Sequence, residues 1–215
     1  ERKIQFEKTL VSTGTNYEGI HTMENAAFEF ENETWGKLLV IAFEFAPRDE
    51  ALDWARQLIE SDRFKNHTVI ILTHSFLLNN GERIVNEGYK LTPRNWAQAV
   101  WDKLVYPSKN IKLVLCGHTG TPPQMNGSEK VDYHTTTACR VDPAADGHKV
   151  VQMMFNSQNG DGSWNGNGGD CWLRILEFKP DGKTIGIRTF SPLFALSRRT
   201  QHMAWRTDAY DQFSI

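Results

Sequence analysis

Leu38-Leu39-Val40-Ile41-Ala42-Phe43 is an unbroken apolar run. Apolar residues at every position, rather than every second one, are what a strand buried on both faces requires. Thr68-Val69-Ile70-Ile71-Leu72-Thr73 and Ile111-Lys112-Leu113-Val114-Leu115-Cys116 repeat the pattern. A helix is expected after the first run: Glu44 to Glu50 gives a loop and an acidic first turn, and Leu52, Ala55, Leu58 and Ile59 follow on one face beside Trp54. A second helix is expected from Pro93, with Trp96, Val100, Trp101 and Leu104 as its apolar face. Strands alternating with helices predict crossover connections and a parallel sheet.

The second half reads differently. Thr135–Val141 and Lys149–Phe155 suit a hairpin across Pro143–Gly147, and Cys171–Phe178 with Thr184–Phe190 suit another across Pro180-Asp181-Gly182-Lys183. A glycine-rich loop, Asn156 to Asp170, lies between them, and the tail from Ser191 carries Phe194, Trp205, Tyr210 and Phe213, aromatics that favour docking over freedom. The fold class expected is therefore α/β: parallel strands with crossover helices, then antiparallel hairpins, in one layered unit.

Composition narrows the function. The 215 residues carry 24 Lys and Arg against 26 Asp and Glu, a formal charge of −2, so a basic field for nucleic acid is not expected. No apolar run approaches the roughly 20 residues of a membrane-spanning helix. Cys116, Cys139 and Cys171 show no Cys-x-x-Cys spacing, which argues against a thiolate zinc site and a disulfide scaffold. The first residues, Glu1 to Lys8, hold neither an initiator Met nor an apolar leader, and the chain reads as a piece of something longer.

Ligands of open parallel sheets bind outside the carboxyl ends of the strands. Two of the three strands end there in a histidine, Thr73-His74-Ser75 and Gly117-His118-Thr119, and neutral imidazole is a good ligand for zinc, iron, manganese or nickel. The alternative is that both histidines cap their strands and bond nearby carbonyls. Glu44, Arg48 and Asp49 leave the first strand at the same edge. Arg48 is a candidate phosphate contact; in the other reading Arg48 pairs with Asp49, and Asp49 caps the helix. Trp164, in the glycine-rich loop, either stacks on a substrate ring or pins the loop. Asp132-Tyr133-His134 offers a stray Asp-x-His, and His21, His67, His148 and His202 read as plain surface residues, with Trp35, Trp54, Trp96 and Trp101 as core.

A strand ending in His followed by a strand ending in Gly-His resembles the second half of the calcineurin-like metallophosphoesterases, whose motifs run Asp-x-His, Gly-Asp-x-x-Asp, Gly-Asn-His, a lone His and Gly-His-x-His. The likeness extends to Glu44–Glu50, to Asn167-Gly168-Gly169-Asp170-Cys171-Trp172-Leu173-Arg174, and to Thr184–Pro192. It implies a two-sheet sandwich in which His74 and His118 are ligands of the second of two divalent transition metals (manganese, iron or zinc). It implies hydrolysis of a phosphate mono- or diester by a metal-activated water, on a phosphorylated small molecule or nucleotide. Glu44, Arg48 and Trp164 are then expected near the substrate. The branch resembled implies a secreted or periplasmic protein.

The departures are as informative. The first three motifs are missing, and Gly120 stands where the second His of the last motif would be. Residues 1–215 are thus expected to be the C-terminal portion of one such domain, inactive alone and weak in metal binding. A non-catalytic relative that binds a ligand or partner is the alternative, with self-association through the sheet edge that the missing half would cover.

Overall fold

The computed structural model describes residues 7–92, 94–119, 136–157 and 169–215. The three apolar runs are strands: β3 (Gly36–Ala42), β4 (Thr68–Leu72) and β5 (Ile111–Cys116). Ahead of them lie β1 (Leu10–Thr15) and β2 (His21–Asn32), which the sequence reading did not resolve. β6 (Thr137–Pro143) and β7 (Lys149–Phe155) form the expected hairpin. Among the described residues these seven strands make one mixed sheet in the order β1-β2-β3-β4-β5-β7-β6, with β3, β4, β5 and β7 mutually parallel.

The chain crosses one face of this sheet through α1 (Asp49–Glu60) and α2 (Ala97–Val100). Leu39, Ile41, Val69, Ile71, Val114 and Met154 meet Leu52, Ala55, Ile59, Val100 and Leu104 there in the main core. α2 continues as a π-helical turn, Trp101–Val105, closed by Tyr106 N–H to the Trp101 carbonyl at 2.8 Å. The wider turn seats Trp101 under the Arg83 guanidinium, 3.6 Å from the ring centroid.

The other face is also apolar. Strand alternation and the register Phe28↔Val40, Phe30↔Leu38, Val40↔Ile70, Ala42↔Leu72 put these side chains on one surface. A second sheet lies over part of it, built from β8 (Leu173–Phe178), β9 (Ile185–Phe190), β10 (Trp205–Arg206) and β11 (Phe213–Ser214). β9 pairs with β8 on one side and with β10 and β11 on the other; among the described residues β8 pairs with β9 alone. The cover is incomplete: Leu72 is 46% and Phe30 45% exposed. A cleft of about 340 Å³ remains between the sheets, lined by Leu72, Leu115, Met153, Phe155, Trp172 and Leu176.

The sheets are joined at both ends of β8. Trp35 donates its indole N–H to the Lys179 carbonyl at 2.7 Å and packs edge-on against Phe178 at 4.8 Å. At the start of the strand the Arg174 guanidinium sits 4.6 Å from the Phe155 ring centroid. The tail docks as its aromatics foretell. A short helix, α3 (Pro192–Ala195), is capped by Ser191, and fully buried Asp211 accepts from Arg206 Nε at 2.8 Å and Arg174 Nη2 at 3.3 Å.

Four expectations change, the first at His148, which is not a plain surface residue: its side chain is 15% exposed and its Nε2 lies 2.8 Å from the Ile111 carbonyl. Trp35 is a half-buried bridge between sheets rather than core. His67 is buried, 2.8 Å from Glu29 of β2; its partner lies 38 residues away, beyond the reach of local pattern. Asp49 does not cap α1 and does not hold Arg48; it accepts from Lys103 Nζ at 2.8 Å and Asn95 Nδ2 at 3.0 Å.

Candidate functional site

The ladder between β4 and β5 outlasts the strands. Thr73 N–H bonds the Leu115 carbonyl, and Gly117 N–H bonds the His74 carbonyl, each at 3.0 Å. His74 accepts that last bond and His118 follows its donor, so the two are neighbours, and their ring centroids lie 4.6 Å apart at 49°. His118 takes a left-handed backbone, φ 66°, which lifts its side chain off the strand line toward His74. Asn156, just beyond β7, pins the turn by donating Nδ2 to the His118 carbonyl at 3.0 Å.

The loop leaving β3 completes the edge. Phe45 packs its ring against His74 (5.4 Å), His118 (5.7 Å), Tyr89 (5.2 Å) and Trp96 (5.8 Å). This aromatic wall removes water from one side of the pair. The His74 imidazole is held below its ordinary pKa, first by burial and then by the neighbouring His118, while Glu87 works the other way. It is the neutral, lone-pair-bearing form that this favours at neutral pH.

Glu87 comes from the polar stretch between β4 and α2. Its Oε1 accepts from Ser75 Oγ at 2.7 Å, and its Oε2 lies 3.4 Å from His118 Nε2. Oε2 is buried and has no hydrogen-bond partner.

Glu44 and Arg48 are at the same edge but are turned toward each other. Arg48 Nε donates to Glu44 Oε1 at 2.8 Å, Arg48 Nη2 to the Thr15 carbonyl at 2.6 Å, and Arg94 Nη1 to Glu44 Oε1 at 3.3 Å. Burial raises the Glu44 pKa, but the bonds from the Arg48 side chain and backbone outweigh it, and the carboxyl is held below the usual range. Arg48, 6% exposed, ties the β1–β2 hairpin to the β3 exit loop.

Of the sequence candidates, His74, His118, Glu44 and Arg48 are brought to one end of the sheet. Trp164, Gly120, Asp132 and His134 lie outside the described residues. Glu87, Ser75 and Asn156 were not anticipated. Asn156 was within reach, because it follows the fourth parallel strand as His74 and His118 follow theirs; Glu87 sits in a stretch without periodicity. Among the described residues no three His, Cys, Asp or Glu side chains stand close enough together to hold a metal ion.

No family model matches the chain. It is 22% identical over 206 residues to the uncharacterized protein YvnB of Bacillus subtilis (strain 168), a match covering 93% of this chain and 13% of that protein. The chain thus spans a small part of the relative's length. No helix among the described residues is long and apolar enough to cross a membrane.

Proposed function

We propose that residues 1–215 are the C-terminal portion of a calcineurin-like metallophosphoesterase domain, with His74 and His118 as ligands of a divalent transition metal, in a secreted or periplasmic protein. The observation that carries the reading is the histidine pair, 4.6 Å ring to ring, at the carboxyl ends of adjacent parallel strands. The two imidazoles, one of them biased to its neutral form, are donors that such a metal takes. They are half of a site, since zinc, iron or manganese takes four or more ligands; the acidic ligands would come from sequence outside these residues. When bound, the metal supplies Lewis-acid activation of water for attack on a phosphate mono- or diester. This chain's residues hold two imidazoles in register, screen them with Phe45, and keep Glu44 ionised at the rim.

The test is metal content of the purified chain and of His118→Ala after desalting, with hydrolysis of p-nitrophenyl phosphate by a longer polypeptide containing residues 1–215. Metal that is lost in the variant, and metal-dependent hydrolysis by the longer polypeptide, support the reading. Equal metal in both chains, together with no metal-stimulated hydrolysis, overturns it.

A second reading, a partner-binding protein without turnover, rests on a different observation: the half-covered apolar face beside the β8 edge. β3 and β4 have the composition of strands buried on both faces, yet Leu72 is 46% exposed. An extended segment added to β8 would bury that face. In the isolated chain a second copy takes that place, so sedimentation should show concentration-dependent dimers that Leu72→Lys disperses. A monomer at all concentrations sinks this reading.

A further inference from the structure

We infer that Glu87 is a positioning residue for His118: its carboxylate is placed to accept a hydrogen bond from Nε2–H, which leaves Nδ1 as the lone pair offered to metal. The inference rests on the histidine pair being metal ligands, and goes beyond that reading by adding a residue that the family resemblance does not assign.

The argument starts from an anomaly. A buried carboxylate oxygen without a hydrogen-bond donor is costly, because its hydration is lost with nothing in exchange. Glu87 Oε2 is such an atom, in a side chain only 11% exposed. Its sister oxygen is fixed by Ser75 Oγ at 2.7 Å, so Oε2 is aimed rather than left to wander. It lies 3.4 Å from His118 Nε2, an ion-pair distance rather than a formed hydrogen bond.

Ring position is the point at issue. His118 leaves β5 with a left-handed backbone, and among the described residues its ring meets the aromatic rings of Phe45, Tyr89 and His74, at 5.7, 6.1 and 4.6 Å. None of these can select a tautomer. A carboxylate on one ring nitrogen does, and imidazole ligands of metals commonly carry such a partner on the nitrogen that does not face the ion. Ser75 adjoins His74 in sequence, so the Ser75–Glu87–His118 chain also couples the two ring positions.

The experiment is Co²⁺ titration of a longer polypeptide containing residues 1–215, followed by visible absorption, for wild type, Glu87→Gln, Ser75→Ala and His118→Ala, with circular dichroism to show retained fold. Glu87→Gln should bind Co²⁺ about 10–100-fold more weakly, with a shifted ligand-field band, and Ser75→Ala should fall between it and wild type. A Glu87→Gln chain that matches wild type in affinity and spectrum, while His118→Ala loses the ion, overturns the role of Glu87 and leaves the histidine reading standing. Wild type that binds no better than His118→Ala overturns both.

Discussion

Gly117 donates its backbone amide to the carbonyl oxygen of His74 at 3.0 Å, two residues past the last registered pair of β4 and β5, Leu72↔Leu115. This bond sets the spacing of the histidine rings. A methyl group at Gly117 would lie 3.1 Å from the Phe155 carbonyl oxygen, so the backbone of β7 or of the turn must give way. Gly117→Ala is expected to cost about 1–2 kcal/mol in urea unfolding, as overpacking does. Unchanged unfolding would mean that β7 yields freely.

His118 is held at φ 66°, where an L side chain is disfavoured. His118→Gly should therefore be more stable than His118→Ala by about 1 kcal/mol, although both lose the imidazole. Paired urea melts check this; equal midpoints would show that the turn relaxes once the ring is gone.

Glu44 gives a pH signature with a definite sign. Its carboxyl is held below the ordinary value despite burial, because Arg48 bonds the ionised form. Its contribution is therefore complete above the unfolded carboxylate value, about 4.3, and is lost as pH falls through the lower folded value. Between pH 5 and pH 3 the urea midpoint of wild type should drop more steeply than that of Glu44→Gln. Parallel curves would refute the linkage.

Asp211 faces two buried guanidiniums, Arg174 and Arg206. Asp211→Ala removes the buried carboxylate that both guanidiniums share and should cost about 3–5 kcal/mol by calorimetry or denaturant, releasing the tail from β9. Arg56→Ala removes the exposed partner of Asp53 and should cost under about 1 kcal/mol. Similar losses for the two variants would contradict the burial argument.

What was legible in the sequence follows from where the information sits. β3, β4 and β5 could be read because strands flanked by two layers repeat apolar residues at every position, and His74 and His118 because strand ends are where such sheets bind. β2 mixes Thr22, Glu24, Glu29 and Glu31 with Ala and Phe, and one of its charges is spoken for by His67 across the sheet; no local rule exposes that. The π turn at Trp101 answers to Arg83, a tertiary partner. Glu44 and Arg48 stand at i, i+4 in a loop, where helical pairing rules do not apply, and only the fold reveals that they choose each other.

The cleft between the sheets has a practical corollary at the bench. It is lined by Leu72, Leu115 and Met153 on one side and by Trp172 and Leu176 on the other, while Trp35 and Arg174 link the sheets at the two ends of β8. An environment-sensitive dye of the kind used in thermal-shift screens would find this slot in the native chain. Its fluorescence would begin high and fall or plateau on heating, so for this protein dye uptake reports an open sandwich rather than a melted one, and melting is better followed through the tryptophans or by calorimetry.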